Sequence, residues 1–180
     1  MEQAKLRVII VEGPDAAGKT ALINRIIKKF PGILIKITDR PIDAREEERE
    51  KIKSRYRSVI KMIKDNPEVT FILDRFFPSE IVYCKKRGYD VSHDLEFKEY
   101  ETFIWSKPHL VIFCNPGKEI IRSRIRTRGD DYVTEKENDE MLDRYIKYFS
   151  RCPLVVETAD TGTEESADKF IETLTKTYRK

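Results

Sequence analysis

Residues 8–20 read Val-Ile-Ile-Val-Glu-Gly-Pro-Asp-Ala-Ala-Gly-Lys-Thr. A β-branched apolar run breaks directly into Gly13-Pro14-Asp15-Ala16-Ala17-Gly18-Lys19-Thr20. This is the G-x-x-x-x-G-K-[ST] spacing of a phosphate-binding loop, with a strand pattern before it and a helix pattern after it. The glycines let the backbone curl so that successive N–H groups point inward, an anion nest at a helix N-terminus. Lys19 adds a point charge within reach of β- and γ-phosphates, and the Thr20 hydroxyl is placed to ligate Mg²⁺. The pattern implies a nucleoside triphosphate ligand, with ATP expected as phosphoryl donor and Gly13 to Thr20 as its cradle.

Outward from this loop, short runs rich in Val, Ile, Leu and Phe alternate with helical periodicity. That alternation implies an α/β fold with a parallel sheet covered on both faces. Strands are expected at Leu6–Glu12, Ile33–Ile37, Val69–Leu73, Leu110–Cys114 and Leu154–Glu157. Helices are expected from Lys19 to about Phe30, Ala44 to Lys64, Ser79 toward Gly88, Asp94 to Ser106 and Lys118 into Arg128-Gly129. A sixth is marked by Met141, Leu142, Tyr145, Ile146 and Phe149, and a last one runs from Thr163 to Tyr178. The reading is a three-layer α/β P-loop fold with a five-stranded parallel sheet in one domain over residues 1–180. Ligands of such sheets sit beyond the carboxyl ends of the strands, which selects residues 13–20, 38–40, 74–75, 115 and 157–158 for chemistry.

Composition narrows the class further. Of 180 residues, 35 are Lys or Arg and 32 are Asp or Glu, a net charge of +3, so no global field demands nucleic acid or membrane. Cys84, Cys114 and Cys152 are odd in number and lie among apolar residues, a pattern of reduced thiols that points to the cytoplasm and away from a disulfide framework or metal site. The two histidines, His93 and His109, share no metal-ligand spacing. No stretch is long and apolar enough to span a bilayer.

A second phosphate-handling element closes the third strand, where Phe71-Ile72-Leu73 runs into Asp74-Arg75. A carboxylate here can hold Mg²⁺, partly through water, and the adjacent guanidinium offers a fork suited to a phosphoryl group. The segment Asp74-Arg75-Phe76-Phe77-Pro78-Ser79-Glu80-Ile81-Val82-Tyr83 resembles the D-R-[YF]-x-x-S-x-x-[AV]-Y segment of thymidylate kinases. Glu12-Gly13 through Thr20 is similar to that family's E-G-x-D-x-x-G-K loop, including Asp15. A nearer likeness is to small phage-type thymidylate-kinase-like proteins, which share an R-G-D-[DE]-Y segment with Arg128-Gly129-Asp130-Asp131-Tyr132. The resemblance covers residues 6 to about 150 and implies that the fold is a P-loop kinase fold with a small Arg-rich lid at about 126–138. It implies that Asp15 contacts the 3′-hydroxyl of an acceptor nucleotide, with Ser79 and Tyr83 beside it. Thr38-Asp39-Arg40 stands where that family has a glycine-rich R-E-P-G-G turn, and Cys84 where it has a base-reading Gln. The likeness thus reaches the phosphate sites and stops short of the base pocket.

Arginines complete the candidate set. Arg45, Arg49, Ile52 and Tyr56 share one helical stripe, so the buried face of the second helix turns cationic toward the cleft. Arg49 is the leading acceptor-binding candidate; Arg55 has the family-like spacing but a lateral position. Pairing of Arg45 and Arg49 with Asp43 and Glu46–Glu48 is the alternative. Arg122, Arg124, Arg126 and Arg128 crowd the fifth helix. Arg124 and Arg128 share its inward side with Ile121, so Arg124 is expected at the ATP and Arg128, hinged at Gly129, at the transferring phosphoryl group.

These residues imply an ATP–Mg-dependent phosphotransferase acting on a nucleoside monophosphate. Lys19, Asp74, Arg75 and Arg128 are the catalytic set, Thr20 and Asp74 the metal ligands, and Asp15, Asp39, Arg49, Arg75, Ser79 and Tyr83 the acceptor side. Two alternatives stand beside it. One is a kinase of a hydroxyl on a deoxynucleoside or nucleic acid, with Asp39 as general base. The other is a nucleotide-binding switch, disfavoured because no N-K-x-D motif is present. Small nucleotides are the expected partners, nucleic acid the less favoured one, and a homodimer is compatible with the chain.

Overall fold

A computed structural model describes residues 7–37, 46–91, 93–106, 109–129, 134–152 and 155–178. The elements follow in the order β1 Val8–Glu12, α1 Lys19–Lys29, β2 Ile33–Lys36, α2 Glu46–Asp65, β3 Phe71–Asp74 and α3 Phe77–Cys84. A 3₁₀ turn at Lys85–Arg87 leads to α4 Leu95–Trp105, β4 His109–Cys114, α5 Lys118–Arg128, α6 Glu135–Phe149, β5 Val155–Thr158 and α7 Glu164–Tyr178. The sheet order is β2-β3-β1-β4-β5, with every described pairing parallel. This is the expected α/β layering, with strands displaced by no more than two residues at their ends.

The period-2 geometry of a strand explains both layers. Val8, Ile10, Phe71, Leu73, Val111 and Phe113 point to one face and pack with α2, α3, α4 and α6. Ile9, Val11, Ile72, Leu110 and Ile112 point to the other and pack with α1 and α7. Strands buried on both sides read as continuous apolar runs for this reason.

Helix ends carry the more local information. In α4, Asp94 caps the first turn by accepting from the Glu96 amide at 3.0 Å. Thr134 and Glu137 form a reciprocal capping box at the start of α6, so that helix opens six residues before Met141. Residues Thr134-Glu-Lys-Glu137 carry that signal in the sequence. Helix α1 is different: Gly18 stands at its N-cap with φ +92°, no side chain caps it, and its first turn has no acid. Its first amides are left for a ligand.

β1 lies between β3 and β4, where the strand order reverses, so the crevice opens above Glu12-Gly13. Gly13 adopts φ +142°, and a Cβ there would meet the Cys114 carbonyl oxygen at 2.7 Å. Gly13→Ala therefore combines an unfavourable backbone conformation with a backbone overlap. It is expected to lower the unfolding free energy by about 3 kcal/mol, read from the urea midpoint; a loss below about 0.5 kcal/mol, the range of ordinary surface changes, would contradict this placement.

Candidate active site

The expected donor side is the turn from β1 into α1. Ala16 (φ +59°) and Gly18 (φ +92°) curl the backbone between them. Lys19 is buried, and its Nζ donates to the Pro14 carbonyl at 2.6 Å, folding the ammonium over the loop. Burial lowers the Lys19 pKa to about 8; the Arg75 guanidinium adds to this and Asp15 opposes it. A phosphate in the loop would restore the charged form by supplying the missing counter-charge. Thr20 follows, exposed at the first turn of α1.

Arg124 reaches the same loop. Its guanidinium donates to the Ala16 carbonyl at 3.2 Å and pairs with Asp160, beyond β5. A Cβ on Gly162 would lie 1.8 Å from Arg124 Nη2, and one on Gly18 would lie 2.9 Å from the Gly162 amide. The glycine at 162 lets the guanidinium lie flat on the backbone, so residues 159–162 form a wall beside the donor cradle. Asp160 and Gly162 were absent from the sequence reading because nothing local marks them.

A second cluster is built on Glu12, the last residue of β1, fully buried. An isolated buried carboxylate is costly, and three donors compensate it. The Phe76 amide and the Ser79 hydroxyl each donate to it at 2.6 Å, and the Tyr145 hydroxyl at 3.1 Å. Burial nevertheless dominates and raises the Glu12 pKa above 4.5, against those hydrogen bonds and the Arg75 charge. Arg75 sits over this cluster with φ +67°, its amide donating to the Val11 carbonyl at 3.0 Å. Its guanidinium donates to Asp15 at 2.7 Å and to the Tyr145 hydroxyl at 3.0 Å, and lies 5.5 Å from the centre of the Tyr83 ring. Asn138, fully buried on α6, donates to the Asp15 carbonyl at 2.8 Å and fixes the loop from the α6 side.

The structure thus brings together Lys19, Asp15, Asp74, Arg75, Ser79, Tyr83 and Arg124 at the carboxyl end of the sheet. Ser79 is an internal brace between Glu12 and Tyr145, not a free hydroxyl for an acceptor. Tyr145, read from the sequence as part of an apolar helix face, ends in the polar cluster. Arg49 lies 5.5 Å from the Tyr89 ring and 3.9 Å from Asp94, so among the described residues its ion-pair partner is Asp94 and not the adjacent glutamates; Arg45 and Asp43 lie outside the described residues. Arg87, which pairs with buried Glu80 at 2.9 Å, also lies over the Tyr83 ring, 5.6 Å from its centre. Cys84 turns away from the cleft and donates to the Ile81 carbonyl, so it is no stand-in for a base-reading amide. Arg128 is exposed at the end of α5, and no described contact holds it to the cleft. Arg122 and Arg126, off the inward side of α5, pair with Asp139 and Glu135 and tie α5 to α6. Asp39 and residues 130–133 of the expected lid lie outside the described residues.

No protein-family model matches the chain. The SPbeta prophage-derived protein YorR of Bacillus subtilis is 28% identical over 158 residues, spanning 87% of this chain and 90% of YorR. The crystal structure of YorR in complex with phosphorylated GDP superposes with a TM-score of 0.70 at 25% identity, covering 95% of this chain and 98% of YorR. Thymidylate kinase from Candida albicans gives 0.67 at 18% identity, over 98% of this chain and 93% of that one. Deoxyadenosine kinase from M. mycoides, with its products dCMP and a flexible dCDP bound, gives 0.65 at 16%, over 94% and 99%. The fold is that of the thymidylate-kinase-like P-loop nucleotide kinases. Among the described residues no helix is long and apolar enough to cross a membrane.

The raised pKa of Glu12 makes a signed prediction. From 4.5 up to its raised folded value, the folded chain holds a proton that the unfolded chain has released. Stability therefore falls as pH rises through that window. Glu12→Gln removes this component, so the stability deficit of the variant relative to wild type should shrink from pH 4 to pH 7 in urea titrations. A deficit that grows over that range would mean that Glu12 is ionised in the fold.

Proposed function

We propose that the chain is an ATP–Mg-dependent nucleoside monophosphate kinase, thymidylate-like in its handling of phosphates. The observation that carries this reading is the buried Arg75 clamp between Asp15 of the donor loop and Tyr145. One guanidinium held between the phosphate loop and α6 supports a transfer from a donor on the loop to an acceptor beside it. The donor phosphates would lie on the α1 amides and Lys19, with Arg124 and the 159–162 wall beside the donor base. The acceptor would lie toward Asp15, Tyr83 and Arg49, and Arg75 would span both phosphates.

Thr20 and Asp74 are the residues that would hold Mg²⁺. One exposed hydroxyl at the start of α1 and one half-buried carboxylate at the end of β3 form an all-oxygen pair. Such a pair suits a hard cation that takes its other ligands from water and nucleotide. When bound, the ion neutralises charge on the donor phosphates. The chain's own residues do the rest: Lys19 and the loop amides hold the donor, and Arg75 with a lid arginine, Arg128, follows the charge of the moving phosphoryl group. The acceptor phosphate oxygen forms the new P–O bond as the bond to the ADP oxygen breaks. A phosphate acceptor is already an oxyanion, so no carboxylate need take its proton. This accords with the commitments of the described cleft acids: Glu12 accepts three hydrogen bonds and Asp15 pairs with Arg75.

The test is phosphoryl transfer from labelled ATP to a panel of monophosphates, nucleosides and oligonucleotides, in wild type and three variants. Monophosphates should be the acceptors. Lys19→Ala and Arg75→Ala should each lower kcat by about 10³ or more while the fold is kept. Asp39→Asn should cost less than tenfold, whereas loss of a general base costs about 10²–10⁴. Turnover confined to nucleosides, together with a thousandfold loss in Asp39→Asn, would make a hydroxyl the acceptor. Undiminished turnover in Lys19→Ala would remove the kinase reading altogether.

A further inference from the structure

Helix α3 has two working faces. Ser79 and Tyr83 face the cleft, while Phe77 and Ile81, two positions away and so about 200° around the helix, face a separate pocket. This pocket, of about 680 Å³, lies between α3, α4 and α6. Its floor is apolar: Phe77, Ile81, Val82 and Phe97, with the Phe77 and Phe97 rings stacked at 5.5 Å between centroids. Its rim is cationic, carrying Lys85, Lys98, Arg144, Lys147 and Arg151 against two carboxylates, Asp90 and Glu101.

The state of those charges is the telling feature. Lys86 and Lys118 pair with Glu137 and Asp143 on the flanks of α6. Among the described residues, however, the side chains of Lys85, Lys98, Lys147 and Arg151 enter no ion pair. Arg144 donates only to the Val82 carbonyl, at 3.2 Å, and Glu101 accepts from Tyr148 at 3.2 Å. Like charges gathered around an aromatic floor repel one another unless an anion answers them. The volume lies within the range of small-molecule sites, and an apolar floor with a few convergent charges is their usual construction.

We propose that this pocket is a second ligand site, distinct from the phosphate-loop cleft, for an aromatic polyanion of nucleotide size. The aromatic ring would lie against Ile81 and the aliphatic stems of the rim, above the nearly buried Phe77 and Phe97, and the phosphates among Lys85, Lys147 and Arg151. Because Phe77 opens α3, an occupant would press on the helix that carries Ser79 and Tyr83. The site does not depend on which acceptor the kinase uses.

The probe is 1-anilinonaphthalene-8-sulfonate, an aromatic anion whose fluorescence rises on leaving water, titrated into the full chain. Wild type and Lys19→Ala should bind one equivalent alike, and GTP should displace it in the Lys19→Ala background. The exposed double variant Lys147→Glu/Arg151→Glu should bind at least tenfold more weakly, with its thermal midpoint and ATP turnover unchanged; Lys85→Glu should repeat the loss. Unchanged affinity in the charge-reversed variants, absence of binding to wild type, or failure of GTP to displace the probe would overturn the proposal. So would loss of binding in Lys19→Ala, which would locate the probe in the donor loop. A wild-type dimer in sedimentation velocity that the double variant dissociates would make the pocket a chain–chain interface instead.

Discussion

A carboxylate with no access to water stands at the end of the central strand, and the cleft is arranged around it. Glu12 has no exposure, so every one of its hydrogen bonds must come from the protein. The donors come from two stretches far from Glu12 in the chain: the Phe76 amide and the Ser79 hydroxyl at the start of α3, and Tyr145 on α6. One side chain thereby sets the distance between β1, the start of α3 and the middle of α6. Arg75, Asp15 and the phosphate loop take their positions from that arrangement.

This constraint also shows what a sequence does and does not display. The sheet was legible because strands buried on both faces are continuous apolar runs, and the donor loop because its glycines and Lys19 sit at fixed spacings within thirteen residues. Strand ends moved by one or two residues, and α3 began at Phe77 instead of Ser79, within the usual uncertainty of helix ends. The Glu12 cluster was not legible, since its members are separated by 64 to 133 positions and no periodicity links them. Tyr145 illustrates the cause: its ring belongs to an apolar face, stacked on Phe113, and only its hydroxyl is polar. A helical wheel registers the ring and misses the tip.

Arginines show a related limit. The wheel put Arg124 on the inward side correctly, and Arg124 touches the donor loop. It could not distinguish Arg122 and Arg126 in solvent from Arg122 and Arg126 paired across to α6, because the partners Asp139 and Glu135 lie on another helix. Those two pairs join the stems on either side of residues 130–133. Exposed pairs of this kind contribute little stability individually. Their geometric effect is greater, since they hold the base of the expected lid while Asn138, one turn along α6, is anchored to the Asp15 carbonyl.

Arg75 gathers these features into one residue. A non-glycine at φ +67° carries a local cost of about 1 kcal/mol or more, and such a conformation persists only where its surroundings over-determine it. Here they do: the Arg75 amide is held by Val11, the next amide is held by Glu12, and the guanidinium is held by Asp15 and Tyr145. An extended residue at this position would carry the Phe76 amide away from Glu12 and leave a buried carboxylate short of a donor. The strain at one backbone position is thus the geometric condition for satisfying a buried carboxyl group at another. It has a second consequence, because the same turn presents a rigid, always-charged fork to the cleft beside the phosphate loop. A cation already fixed in place needs little reorganisation when negative charge develops beside it, which is the form of electrostatic preorganisation that phosphoryl transfer requires.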